Sequence, residues 1–126
     1  MKKWIDIGVQ ALMGLIFFVF GLNGFLHFLA EPEVTGDAAT YMSGLTATGY
    51  FWPVLKAVEV VAGFLLLVRK FPALALVLLA PIVVQILLFH VFLAPEGLAM
   101  AVPLLLIEAY LGFGIYRDRF KDVLRA

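Results

Sequence analysis

Cysteine is missing from the chain altogether. Disulfide staples, thiolate metal sites and dithiol redox chemistry are therefore excluded together, including a four-helix oxidoreductase working through a Cys-x-x-Cys pair. Charge is almost as scarce: Asp, Glu, Lys and Arg make up 14% of the residues and cancel to a formal net charge of zero. No basic cluster of useful size offers a nucleic-acid surface. No flavin- or nucleotide-binding motif is present either, so any electrons handled by this protein come from a partner protein or from a cofactor without a sequence signature.

What remains is apolar. Hydrophobic residues account for 64% of the chain and the mean hydropathy is +1.07, outside the range of soluble globular domains. With 126 residues and no gap long enough for a soluble domain, the expected architecture is one all-α membrane domain. It is an antiparallel up-down bundle of four transmembrane helices, because helices satisfy their backbone hydrogen bonds internally in lipid.

The spans follow from the apolar runs, each measured against the roughly 20 helical residues that cross a bilayer. They are predicted at about 5–29, 53–68, 72–93 and 98–116. The first, after Lys2-Lys3-Trp4, is too long for a cleaved leader, and Phe28 stands where a small residue would be wanted before Ala30. Pro53 suits a first helical turn. Pro81 and Pro103 lie inside the third and fourth spans and leave the carbonyls of Val77 and Ala99 without their usual partners. The outer loop at 31–51 carries acids but no Lys or Arg, and its middle, Asp37 to Leu45, reads as a short interfacial helix capped by Asp37, with Tyr41, Tyr50 and Trp52 at headgroup level. Eight of the nine basic residues, all but Lys56, fall at the N-terminus, in the Arg69-Lys70 turn or in the C-terminal tail. The positive-inside rule then puts both termini in the cytoplasm; for a bacterial protein the membrane would be the inner one.

Seven polar residues stand inside these spans, in the outer half or at the midplane. They are Asn23 and His27 on the first, Lys56 and Glu59 on the second, Gln85 and His90 on the third, and Glu108 about ten residues down the fourth. Ionisable groups facing lipid are costly and normally turn inward and pair, so a polar pocket open toward the outer face is expected, with Gly21, Gly24, Gly63, Gly112 and Gly114 letting the helices approach closely. In that pocket Glu108 and His90 would be proton partners, and Asn23, His27, Lys56, Glu59 and Gln85 would bind the ligand. The plainer readings are an interfacial ion pair for Lys56 with Glu59, interhelical hydrogen bonding for Asn23 and Gln85, and solvated, idle imidazoles. Glu108 is hardest to dismiss, since a deep carboxylate needs a partner.

Three functions compete. A quinone-like, lipid-soluble redox molecule would exchange protons with Glu and His between the aromatic walls of Phe25, Phe28, Phe89 and Phe92. A metal could use His27, Glu59, His90 and Glu108, or a haem the two histidines as axial ligands; the depth separating His27 from Glu108 ranks the metal lower. Or the bundle does no chemistry and serves as a membrane anchor or assembly subunit for a partner protein.

Three segments carry a resemblance: Gly21-Leu22-Asn23-Gly24-Phe25-Leu26-His27-Phe28, then Gly49 through Trp52-Pro53 and Lys56-Ala57-Val58-Glu59 to Gly63, and Ala80-Pro81-Ile82 through Leu88-Phe89-His90-Val91-Phe92-Leu93. In these the sequence resembles the DoxX family of small bacterial membrane proteins, over essentially its whole length. The resemblance implies a four-helix membrane bundle and, for part of that family, a role beside redox enzymes, including as subunits of thiosulfate:quinone oxidoreductases. Gln85 stands where the family pattern leads one to expect Asn, keeping the amide on a longer arm. The family has no agreed catalytic set, so positions are carried over without roles.

Overall fold

The structure is a computed structural model that describes residues 2–28 and 35–120. Leu29 at the end of the first predicted span, Glu31 and Glu33 in the loop, and Lys121 and Arg125 in the tail lie outside the described residues. Five α-helices follow in order: α1 (Lys2–Leu26), α2 (Gly36–Ala47), α3 (Phe51–Val68), α4 (Pro72–Phe92) and α5 (Leu98–Ala109). A 3-10 turn, Pro95–Gly97, leads into α5, and a π-helical turn, Tyr110–Ile115, continues it. Among the described residues there is no strand. Four helical stretches, Lys3–Leu26, Phe51–Val68, Pro72–Phe92 and Pro95–Ile115, are long and apolar enough to cross a membrane, and the all-α four-helix bundle expected from the sequence is what forms.

The bundle closes around Met13, Phe17, Ala62, Leu66, Leu76, Leu79, Val83, Leu104 and Leu111, all buried. Large apolar side chains cover its outside as well, among them Leu12, Phe20, Phe64, Val77, Leu106 and Phe113. A helix apolar all round belongs in lipid, where there is no solvent to favour a polar face.

Close packing between α1 and α3 comes from glycine. A Cβ on Gly63 would stand 2.5 Å from the Phe18 nitrogen and 2.7 Å from the Gly14 carbonyl oxygen, so the two backbones touch at this crossing. Farther along, Gly21 accommodates Val60 and Glu59, and Gly24 accommodates the Lys56 stem. Three of the five glycines expected at interfaces therefore sit in one, and Gly14 joins them. Gly112 and Gly114 do not: nothing lies within 4 Å of where a Gly112 side chain would begin, and Gly114 meets only Tyr110 of its own turn. The fourth span leaves open space on that side.

The α3–α4 turn is tight. Arg69 caps α3 in the left-handed conformation (φ 60°) and Phe71 precedes α4 in the same region (φ 51°), a conformation that costs roughly 1–2 kcal/mol for a residue with a side chain. Pro72 opens α4 at a position where no amide hydrogen is needed.

The surface helix exists but is longer than the sequence suggested, and its capping differs. Thr35 is its N-cap, without a side-chain hydrogen bond, and Asp37 falls within the first turn, where its charge complements the helix dipole. The helix ends at Thr48, whose hydroxyl accepts from the Phe51 amide at 3.1 Å, while the Trp52 indole donates to Thr46 Oγ1 at 2.9 Å. These bonds fasten α2 to the first turn of α3.

Candidate functional site

Six of the seven intramembrane polar residues are distributed over three places instead of one chamber, and His27 stands apart from all three. The first is the α1–α3 interface. Glu59 is 4% exposed and Asn23 5% exposed, and the Lys56 ammonium donates to Glu59 Oε1 at 3.2 Å. Lys56 lies three residues before Glu59, so both point the same way from α3, and its stem covers Gly24, next to Asn23. The Trp52 ring lies 5.9 Å from the Lys56 nitrogen. This is the plainer reading of the pair: a charge held in place by its neighbour on the same helix.

The second place is the end of α4 under α2. Gln85 is exposed and donates from Nε2 to the Tyr41 hydroxyl at 2.5 Å, and Tyr41 also packs against Phe89 with ring centroids 5.6 Å apart. The Gln85 amide thus fastens the surface helix to the bundle. His90 Nδ1 lies 2.8 Å from the Ile86 carbonyl oxygen one turn back, which makes that nitrogen the donor and leaves Nε2 without a proton in the neutral ring. Its Nε2 edge packs on Gly97, where any added Cβ would collide with the ring. His27 reaches neither group. It ends α1 in the left-handed conformation (φ 53°), fully exposed, its amide bonded to the Asn23 carbonyl at 2.8 Å.

These placements correct the metal set. Among the described residues, no three acids or imidazoles come together as ligands of one ion, so His27, Glu59, His90 and Glu108 are not a shared site. The shared outer pocket lined by Asn23, His27, Lys56, Glu59, Gln85, His90 and Glu108 is likewise not what the packing builds. Two cavities are prominent and neither is lined by any of the seven. One, about 340 Å³, is an apolar groove between α3 and α4 bordered by Tyr50, Phe51, Val54, Leu55, Leu78 and Ile82.

The third place is Glu108 itself. It shares the inward stripe of Ala101, Leu104 and Leu111, spaced three and four residues apart on one face. Its Oε1 is closed off from the surroundings and has no hydrogen-bond partner among the described residues, although the residue as a whole is only half-buried. An orphaned carboxyl oxygen inside an apolar bundle is unusual, because an unpaired buried polar atom costs about 1–3 kcal/mol. Gly112 follows four residues later on the same face, with open space where a side chain would be. The gap lies one turn beyond the carboxyl, toward the Ile115 end of the span.

Sequence reasoning passed over the densest polar network, which lies at the opposite, basic end. Gln10 is 2% exposed, donates from Nε2 to the Leu66 carbonyl at 3.0 Å and accepts at Oε1 from the Tyr116 hydroxyl at 2.5 Å. The Tyr110 hydroxyl donates to Asp6. The signal was present: Asp6 and Gln10 are four residues apart on α1, one above the other, and two tyrosines stand at the far end of the last span. A second cavity, about 410 Å³, opens here between Lys3, Asp6, Gln10, Arg69, Ile115 and Tyr116.

In comparison with known proteins, no family model, no curated protein and no solved structure matches the chain.

Proposed function

We propose that this protein is a multi-pass membrane subunit that presents Glu108 to a lipid-soluble redox molecule of quinone type, within an oxidoreductase assembly whose electrons come from a partner protein. The observation that carries this reading is the Glu108 carboxyl, half-buried inside the fourth span with one oxygen unpartnered, and with open space one turn further along at Gly112. Anything that reaches a carboxyl at this depth arrives through lipid. A quinone ring oxygen supplies the hydrogen-bonding partner that the bundle withholds, and the carboxyl passes a proton to that oxygen as the ring takes up electrons. The resemblance to DoxX proteins, some of which stand beside quinone-linked enzymes, supports the same reading; the membrane in it is a bacterial inner membrane, with both termini in the cytoplasm as the distribution of basic residues suggests.

Binding of a short-chain benzoquinone to the purified protein tests this. Glu108→Leu should weaken binding about fivefold, because it removes the protonated carboxyl's hydrogen bond to the quinone oxygen, worth about 1 kcal/mol. Gly112→Leu should do the same by filling the gap, without touching the carboxyl. Unchanged binding in both variants would overturn the proposal.

A second reading, an anchor or assembly subunit without chemistry, draws support from the Gln10–Leu66, Gln10–Tyr116 and Gln85–Tyr41 contacts, each of which joins parts of the bundle. The two separate on Glu108→Leu. A purely structural subunit gains stability from this change and keeps its partner's electron transfer, whereas a quinone subunit gains stability and loses the transfer.

A further inference from the structure

The cavity at the basic end takes no part in the Glu108 site and has a composition of its own. Its polar lining divides in two. Gln10 has its amide nitrogen committed to the Leu66 carbonyl and its oxygen to Tyr116, and the Asp6 carboxylate accepts from Tyr110. Lys3 and Arg69, at the mouth, are exposed, and among the described residues neither is paired with a carboxylate. The cavity is thus walled by hydrogen-bonded groups and by Ile7 and Ile115, and its two cations outnumber its one carboxylate.

Its position is equally specific. Lys3 begins the first span, Arg69 follows the second and Ile115 ends the fourth, so the cavity lies where three spans meet the membrane surface. Trp4 and Ile5 beside it are exposed apolar side chains, so an apolar outer face continues from the cations toward the membrane interior. Arg69 is held there against conformational preference, in a left-handed cap where Gly or Asn is the easier choice. Backbone strain of this kind persists where a side chain is needed in a particular place.

We infer that this cavity binds the phosphodiester headgroup of an anionic phospholipid, with Lys3 and Arg69 as the phosphate ligands and the acyl chains running down the apolar face of α1. Basic pockets between spans capture anionic headgroups because the cations sit at headgroup level, where each is worth about a fivefold preference. A free phosphate ion has the same headgroup chemistry but no chains to seat.

The full-length protein in nanodiscs of phosphatidylcholine mixed with phosphatidylglycerol, released and weighed by native mass spectrometry, decides this. The wild type should retain phosphatidylglycerol over phosphatidylcholine. Lys3→Gln and Arg69→Gly should each cut that preference about fivefold, and Arg69→Lys should largely keep it. Arg69→Gly also relieves the strained cap, so its melting temperature should hold or rise while lipid retention falls, a combination that loss of structure cannot produce. Inorganic phosphate added to the wild type should leave the lipid bound; displacement would make free phosphate the ligand. Equal retention of the two lipids by the wild type, or an unchanged preference in both Lys3→Gln and Arg69→Gly, would overturn the inference.

Discussion

At the basic end, side-chain hydrogen bonds run between spans far apart in sequence: Gln10 joins α1 to the end of α3 and to Tyr116, and Asp6 receives Tyr110. At the other end they are local or superficial. Lys56 and Glu59 are three residues apart on one helix, His90 turns to its own helix, and Gln85 reaches only the surface helix α2. Lys56, Glu59 and His90 lie toward that second end, yet the bonds of Gln10, Tyr110 and Tyr116 that cross between spans lie at the first. Counting polar groups by depth therefore misjudges where they act; what matters is whether a partner on another helix stands opposite.

Mutations can break this contrast in order of severity. The largest effect is expected at the shared crossing point: Gly63→Leu drives a side chain into the Phe18 and Gly14 backbones, which cannot yield as a flexible side chain would. It should cost about 3 kcal/mol or more, seen as loss of the monodisperse folded species in detergent. Gln10→Leu comes next, at about 2 kcal/mol, since it strands the buried Leu66 carbonyl and the Tyr116 hydroxyl; the melting temperature measured by circular dichroism should fall accordingly. Its counterpart at the other end, Gln85→Leu, removes one exposed bond to Tyr41 and should cost roughly 0.6 kcal/mol, close to the mean for hydrogen bonds between membrane helices. Equal losses for Gln10 and Gln85 would erase the distinction between the ends.

Glu108→Leu sharpens the contrast from the opposite direction. Replacing a carboxyl that has an unpartnered buried oxygen by an apolar side chain of similar size should stabilise the bundle by about 1 kcal/mol, and the same thermal melts would show the rise. A fall would mean that Glu108 has a bonding role in the fold.

The class and the number of apolar helices long enough to span were legible in the sequence because apolar run length sets them in lipid. Val68 and Pro72 end and begin their helices as the Arg69-Lys70 turn dictates. The site was less legible. Depth along a helix follows from counting, but the direction in which a side chain points around its axis depends on helix rotation, and on that His27, His90 and Gln85 parted company with Glu108. The tyrosine network was missed for a related reason. Tyr110 and Tyr116 are six residues apart, a spacing that puts them on different faces of a regular α-helix, and only the wider π-helical turn from Tyr110 to Ile115 changes that geometry.

That wider turn divides the last span into two segments of different helical winding. On one side Tyr116 is moored to α1; on the other Glu108 belongs to the regular helix above. With no side-chain volume at Gly112 and Gly114, the turn leaves a gap in the span while the Tyr110–Asp6 and Tyr116–Gln10 bonds pin its two ends to α1.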